Sequence, residues 1–185
     1  MFNGRTKLTR DDWETPLSFF TPLDTIFHFT LDPCASKENH KCEKYYTIME
    51  NGLRQSWEGE TVFCNPPFRT TREWLQKADT EWRTHDVTTV LIMPSRTDNQ
   101  NWHRYVMRAK QIWFCEGRVN FELDGKLPKN GSNFPLAIIV FGGEVNDKSP
   151  LITSYGVKTQ KMILGKHSTT SDLNMPKIAR ELGEC

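Results

Sequence analysis

Asn65-Pro66-Pro67-Phe68 is the stretch whose residue types could do chemistry. It follows the apolar run Thr61-Val62-Phe63-Cys64 and precedes a predicted helix opening at Thr70 or Thr71. Each proline fixes its own φ, lacks an N–H and restricts the residue before it, so the turn is rigid. The carbonyls of Asn65 and Pro66 then have no nearby amide to bond and can face outward. The Asn65 side chain adds an acceptor oxygen, and Phe68 adds a flat ring. Together these groups can hold an exocyclic NH₂ by both hydrogens, with its ring stacked on Phe68. An aromatic amine is a poor nucleophile because its lone pair is delocalised. Two acceptors on its hydrogens favour the pyramidal nitrogen of the transition state. This is electrostatic preorganisation and needs no covalent enzyme intermediate.

The elements that must position this turn follow from apolar periodicity and from helix breakers. Thr15 reads as an N-cap and Pro16 as a first helical residue. Thr21-Pro22 repeats the device, which predicts two short helical pieces through about Phe27, with Phe19, Phe20, Leu23, Ile26 and Phe27 buried. Phe29-Thr30-Leu31 reads as a strand ending at Asp32-Pro33-Cys34-Ala35-Ser36. A strand followed by an acidic residue and small residues is how a Rossmann-like sheet begins its nucleotide site, here without the glycine fingerprint. Lys37 to Lys44 is a charged loop, and Glu50-Asn51-Gly52-Leu53 a turn. Trp74, Leu75, Ala78 and Trp82 share one face of a helix from Thr70 to about Arg83. Val87 to Met93 has the near-continuous apolar pattern of a strand buried on both faces. Asp98 can cap a helix holding Trp102, Tyr105, Val106 and Ala109. Strands are expected at Gln111 to Glu116, Arg118 to Glu122 and Phe134 to Phe141, with a polar loop over 124–133. Alternating strands and helices predict an α/β fold with a mostly parallel central sheet flanked by helices. Such sheets bind ligands beyond the carboxyl ends of their strands, where the Asp32, Asn65 and Ser95-Arg96 segments all fall.

The chain has 185 residues and a net charge of +1, so a nucleic-acid surface would have to come from local patches. Arg69, Arg72, Arg96, Arg104, Arg108, Arg118, Lys126 and Lys129 are the candidate phosphate contacts. Residues 1–10 read as a flexible basic arm, 11–142 as the main domain and 143–185 as a partly flexible extension that could hold a hairpin. No run is long and apolar enough for a membrane span, and the first residues lack an apolar signal core. A cytoplasmic protein is expected. Cys34, His40 and Cys42 make at most a partial metal site without a CxxC pair, so no metal is expected.

The tetrapeptide resembles the (D/N/S)-PP-(Y/F) signature of amino-methyltransferases. Further stretches stand in order around it: Asp12-Trp13-Glu14-Thr15-Pro16, Leu31-Asp32-Pro33-Cys34-Ala35, Asn51-Gly52-Leu53 with Trp57, Pro94-Ser95-Arg96-Thr97-Asp98, Trp102-His103, Gly117-Arg118 with Phe121, and Phe134-Pro135. The set resembles the small phage-type Dam-like DNA N6-adenine methyltransferases over roughly residues 11–142. That resemblance implies a Rossmann-like S-adenosylmethionine-dependent methyltransferase fold, double-stranded DNA as partner, and the host cytoplasm as location for a bacteriophage enzyme. It implies Asn65, Pro66, Pro67 and Phe68 as the catalytic turn. It implies Trp13, Thr15, Pro16, Asp32, Pro33, Cys34, Ala35, Asn51 and Asn65 as donor-binding. Arg69, Arg72, Arg96, Arg118, Lys126 and Lys129 are the candidate DNA-binding residues by their charge near the predicted catalytic rim. Ser36 and Lys37 depart from the pattern, standing where many methyltransferases have glycines. The turn recognises a planar NH₂ and not its owner. Cytosine N4, guanine N2 in RNA, a glutamine amide, or a non-catalytic DNA-binding protein that keeps the fold are the alternatives.

Overall fold

The computed structural model describes residues 13–122, 134–142, 150–158 and 161–163. Its strands are β1 (Leu31–Asp32), β2 (Lys44–Tyr45), β3 (Thr61–Cys64), β4 (Thr88–Pro94), β5 (Gln111–Glu116), β6 (Leu136–Phe141), β7 (Leu151–Gly156) and β8 (Lys161–Ile163). The α-helices are α1 (Leu17–Phe27), α2 (Thr71–His85) and α3 (Gln100–Arg104). One sheet runs β2-β1-β3-β4-β6-β5-β7-β8. β1 is parallel to β2 and β3, β3 to β4, and β5 to β7, whereas β6 opposes β4 and β5, and β8 opposes β7. β1 to β5 and β7 therefore share one direction. This mostly parallel α/β sheet is compatible with a Rossmann-like methyltransferase fold.

Successive residues of a strand face opposite sides of a sheet, and both sides are covered here. Val62 and Cys64 of β3 and Leu91 and Met93 of β4 pack with Trp74, Leu75, Ala78 and Trp82 of α2 and Trp102 of α3. Phe63, Val90 and Ile92 face the other way, onto Phe19, Phe20 and Leu23 of α1. Full burial of such side chains contributes about 1.5–3 kcal/mol each. That explains why α1 is one continuous helix and not two pieces. Pro22 lies inside it, and a proline there costs about 3 kcal/mol, but breaking the helix would uncover Phe19, Phe20 and Leu23.

Other local expectations are corrected too. α1 starts behind Pro16 with no side-chain cap, so Thr15 is not a cap. α3 is capped by Asn99, whose side chain accepts from the Asn101 N–H at 2.8 Å, and not by Asp98. Residues 118–122 make no strand; Glu122 instead forms a single antiparallel bridge with Glu14. The hairpin expected within residues 143–185 is present: β7 and β8 pair antiparallel, and β7 joins the sheet along the whole of β5. Among the described residues no helix is long and apolar enough to cross a membrane.

Gly52 opens a 3₁₀ turn, Gly52–Arg54, that sits directly on the segment after β1. A Cβ on Gly52 would lie 2.0 Å from the Pro33 carbonyl oxygen. The fully buried Trp57 holds the contact in place, its Nε1 donating to the Gly52 carbonyl at 3.0 Å. Gly52→Ala is expected to lower stability by about 1–3 kcal/mol, the usual cost of overpacking. Urea unfolding reads this as a lower midpoint at constant slope; an unchanged midpoint would mean that the segment gives way freely.

Candidate active site

The sheet grows from β1 in two directions, to β2 on one side and to β3 on the other. Open α/β sheets form their ligand crevice at such a switch point, outside the carboxyl ends of the strands. β1 and β3 are parallel, so Asp32 and Asn65 emerge side by side. A cleft there is lined by Trp13, Thr15, Asp32, Cys34, Asn39, Lys41, Phe63 and Asn65.

Asn65 reaches it with a defined orientation. Its Nδ2 donates to the Trp13 carbonyl at 2.9 Å. A carbonyl can only accept, so this bond fixes which end of the carboxamide is nitrogen and leaves Oδ1 as an acceptor. Within the turn, the Pro67 carbonyl accepts from the Thr70 N–H at 3.0 Å, and the Phe68 carbonyl from Thr71 Oγ1 at 3.0 Å. The carbonyls of Asn65 and Pro66 accept from no donor among the described residues. The half-buried Phe68 ring stands edge-to-face against Phe134 at 5.3 Å and Phe121 at 6.3 Å. Phe121 also meets Trp13 at 5.9 Å. Such ring pairs contribute about 0.5–1.5 kcal/mol beyond their buried area, which holds the Phe68 ring in place.

Asp32 is only 5 % exposed. Its Oδ2 accepts from the Lys41 N–H at 3.1 Å and its Oδ1 from the Cys34 N–H at 3.4 Å. Burial pushes its pKa up to about 6, against the opposing pull of those two N–H groups and of the Lys41 charge. Cys34 Sγ lies 3.7 Å from Cys64 Sγ. That hydrogen bond, and then burial, push the Cys34 thiol well above its ordinary range, so it is protonated at neutral pH and is no thiolate nucleophile. Thr15 Oγ1 is buried on the cleft wall without a hydrogen-bond partner among the described residues. No group of His, Cys, Asp and Glu able to hold a metal ion occurs among the described residues.

The structure thus brings Trp13, Thr15, Asp32, Cys34 and Asn65 together. Pro16, Pro33, Ala35 and Asn51 do not line the cleft. Pro16 precedes α1 and Pro33 supports Gly52. Ala35 pairs with the Tyr46 carbonyl, and Asn51 heads the 3₁₀ turn in the left-handed region at φ 54°. Sequence reasoning missed Asn39, Lys41 and Phe63. Only Phe63 carried a signal, its place in the apolar run before the turn.

Arg69 and Arg72 follow β3, Arg96 follows β4 and Arg118 follows β5. These strands share a direction, so all four exposed arginines lie on the rim that bears Asn65. Arg108 does not join them: it precedes β5 and is held by Asp79 at 2.9 Å. Arg104 lies over the Tyr105 ring. Lys126 and Lys129 fall outside the described residues.

The Asp32 shift has a pH signature. Between 3.8 and about 6 the folded chain keeps a proton that the unfolded chain has released, so this group makes stability fall as pH rises through that window. Asp32→Asn is expected to remove that component, read as a urea midpoint whose slope against pH across that window is more positive than in the parent chain. Equal slopes in both would place the Asp32 pKa at its ordinary value.

Comparison with known proteins supplies the family. The family model described as DNA N-6-adenine-methyltransferase (Dam) matches residues 4–168. The DNA N-6-adenine-methyltransferase of Haemophilus phage HP1 is 27% identical over 118 residues, covering 62% of this chain and 68% of that protein. The enzyme of the same name from Escherichia phage T1 is 28% identical over 118 residues, 63% of this chain, which spans about half (49%) of that protein's length. The match runs through β1, the Asn65 turn and the sheet beyond them, and the chain belongs to the DNA N-6-adenine-methyltransferase (Dam) family.

Proposed function

We propose that Asn65-Pro66-Pro67-Phe68 carries the family's methyl transfer, acting on N6 of an adenine swung out of duplex DNA, with S-adenosylmethionine held in the adjoining cleft. The observation that carries this reading is the pinned carboxamide, with Asn65 Nδ2 tied to the Trp13 carbonyl at 2.9 Å. The cleft suits the donor: a buried carboxylate at Asp32, the Thr15 hydroxyl without a partner among the described residues, and the Lys41 ammonium offer charges and polar atoms to a charged, hydroxylated ligand. When bound, S-adenosylmethionine supplies an electrophilic methyl group on a sulfonium.

The chain's own residues do the rest. Asn65 Oδ1 and the Pro66 carbonyl each take one hydrogen of the NH₂. These bonds strengthen as the nitrogen becomes pyramidal and positive, so they stabilise the transition state more than the ground state. Phe68, braced by Phe121 and Phe134, offers the stacking face. Inside a duplex N6 is paired and stacked, so the base must leave the helix; that costs a few kcal/mol, offset by stacking and by bonds to the base edge. The proton departs after transfer, so no strong base is needed beforehand. Arg69, Arg72, Arg96 and Arg118 hold phosphates and set the register without reading sequence. Lys126 and Lys129 are proposed as further phosphate contacts on their charge alone.

Asn65→Ala is expected to lower kcat by roughly 10²–10³-fold, the loss typical of one preorganised group, with donor Kd within a few-fold of the parent. An equal loss of donor affinity would place Asn65 in donor binding or support of the cleft and not in the transfer step. Arg96→Ala is expected to weaken binding to all duplexes alike and to reduce the slope of log K against log salt by about 1. An unchanged slope would take Arg96 off the phosphate path.

A further inference from the structure

We propose that Lys41 recognises the carboxylate at the donor's methionine end, so that Asp32 and Lys41 together read its amino-acid zwitterion. This rests on the cleft being the S-adenosylmethionine site. Of the described residues lining the cleft, one is acidic, Asp32, and one is cationic, Lys41. The backbone joins them: the Lys41 N–H donates to Asp32 Oδ2 at 3.1 Å, which sets the Lys41 side chain beside the carboxylate without consuming its ammonium.

The ammonium is held but not neutralised. Lys41 Nζ donates to Asn39 Oδ1 at 2.6 Å, and Asn39 also lines the cleft. One of three ammonium donors is thereby used, on a neutral acceptor. No ion pair joins Lys41 to a carboxylate among the described residues. Other lysines differ: Lys44 pairs with Glu60 at 2.6 Å and Lys77 with Glu81. The same bond fixes the Asn39 carboxamide, so its nitrogen is a second donor beside the ammonium. A half-buried cation whose fixed neighbour is neutral matches an anionic ligand group. The donor carries its α-ammonium and α-carboxylate on one carbon, as the opposite charges of Asp32 and Lys41 require. A lysine that only neutralised Asp32 would not distinguish donors with and without that carboxylate.

The test is calorimetric binding of S-adenosylmethionine and of decarboxylated S-adenosylmethionine to the full chain, the Lys41→Met and Lys41→Gln variants, and Lys41→Arg. Circular dichroism and the urea midpoint check folding, and Lys41→Gln serves if Lys41→Met does not fold. The parent chain is expected to prefer the carboxylate-bearing donor. Lys41→Met should lose roughly 10–100-fold for that donor and little for the decarboxylated one, with Lys41→Arg recovering part of the loss. Equal losses for both ligands would make Lys41 a support for Asp32 and overturn the inference, as would no loss for either. A folded parent chain that bound neither ligand would overturn the cleft assignment itself.

Discussion

The hydrogen bond from Asn65 Nδ2 to the Trp13 carbonyl decides what the turn can do. An unrestrained asparagine can present either an acceptor or a donor pair to a ligand. With one N–H tied to a backbone carbonyl, the carboxamide is held in one orientation with its oxygen left as an acceptor, and an acceptor is what an NH₂ substrate requires. Trp13 is itself tied down. Glu14, next in the chain, exchanges two backbone hydrogen bonds of 2.9 Å with Glu122, and the Trp13 ring rests on Phe121. Phe121 in turn braces Phe68. Three segments far apart in sequence therefore fix one side chain and one ring, and loosening any of them would blur the same acceptor geometry.

The sheet supplies the platform. Its order reverses beside β1, and this reversal opens a cleft between the ends of β1 and β3 instead of covering it with a crossover. Burial on both faces of β3 and β4 makes that platform stiff, with α1 on one side and α2 and α3 on the other. In the cleft Asp32 is buried and kept by backbone N–H groups from two directions. A net charge of +1 is thus compatible with a DNA enzyme, because the arginines that follow β3, β4 and β5 gather on one edge.

The elements with strong periodicity were legible. β3, β4, β5 and β6 read as apolar runs because they are buried strands, and α2 as a helix because its tryptophans recur at helical spacing. The position of β6 between β4 and β5 was not legible, since no local pattern names a strand's partner. Thr15-Pro16 looked like a cap because the residue types suit one, yet the buried Thr15 hydroxyl lines the cleft. Asn65 announced itself by type and by its prolines. Its partner Trp13, 52 residues away, did not, because a backbone carbonyl acceptor leaves no trace in residue identity. Asn39 and Lys41 sit in a charged loop without periodicity, so only the fold could bring them to Asp32.

The most direct measurement is the product itself. Unmethylated duplex DNA is incubated with the chain and methyl-labelled S-adenosylmethionine, digested to nucleosides and analysed by mass spectrometry. The account predicts labelled N6-methyldeoxyadenosine. Label in N4-methyldeoxycytidine would contradict the assignment of the base. The absence of any labelled nucleoside, with the donor bound, would contradict the claim that the Asn65 turn presents its acceptors to adenine N6.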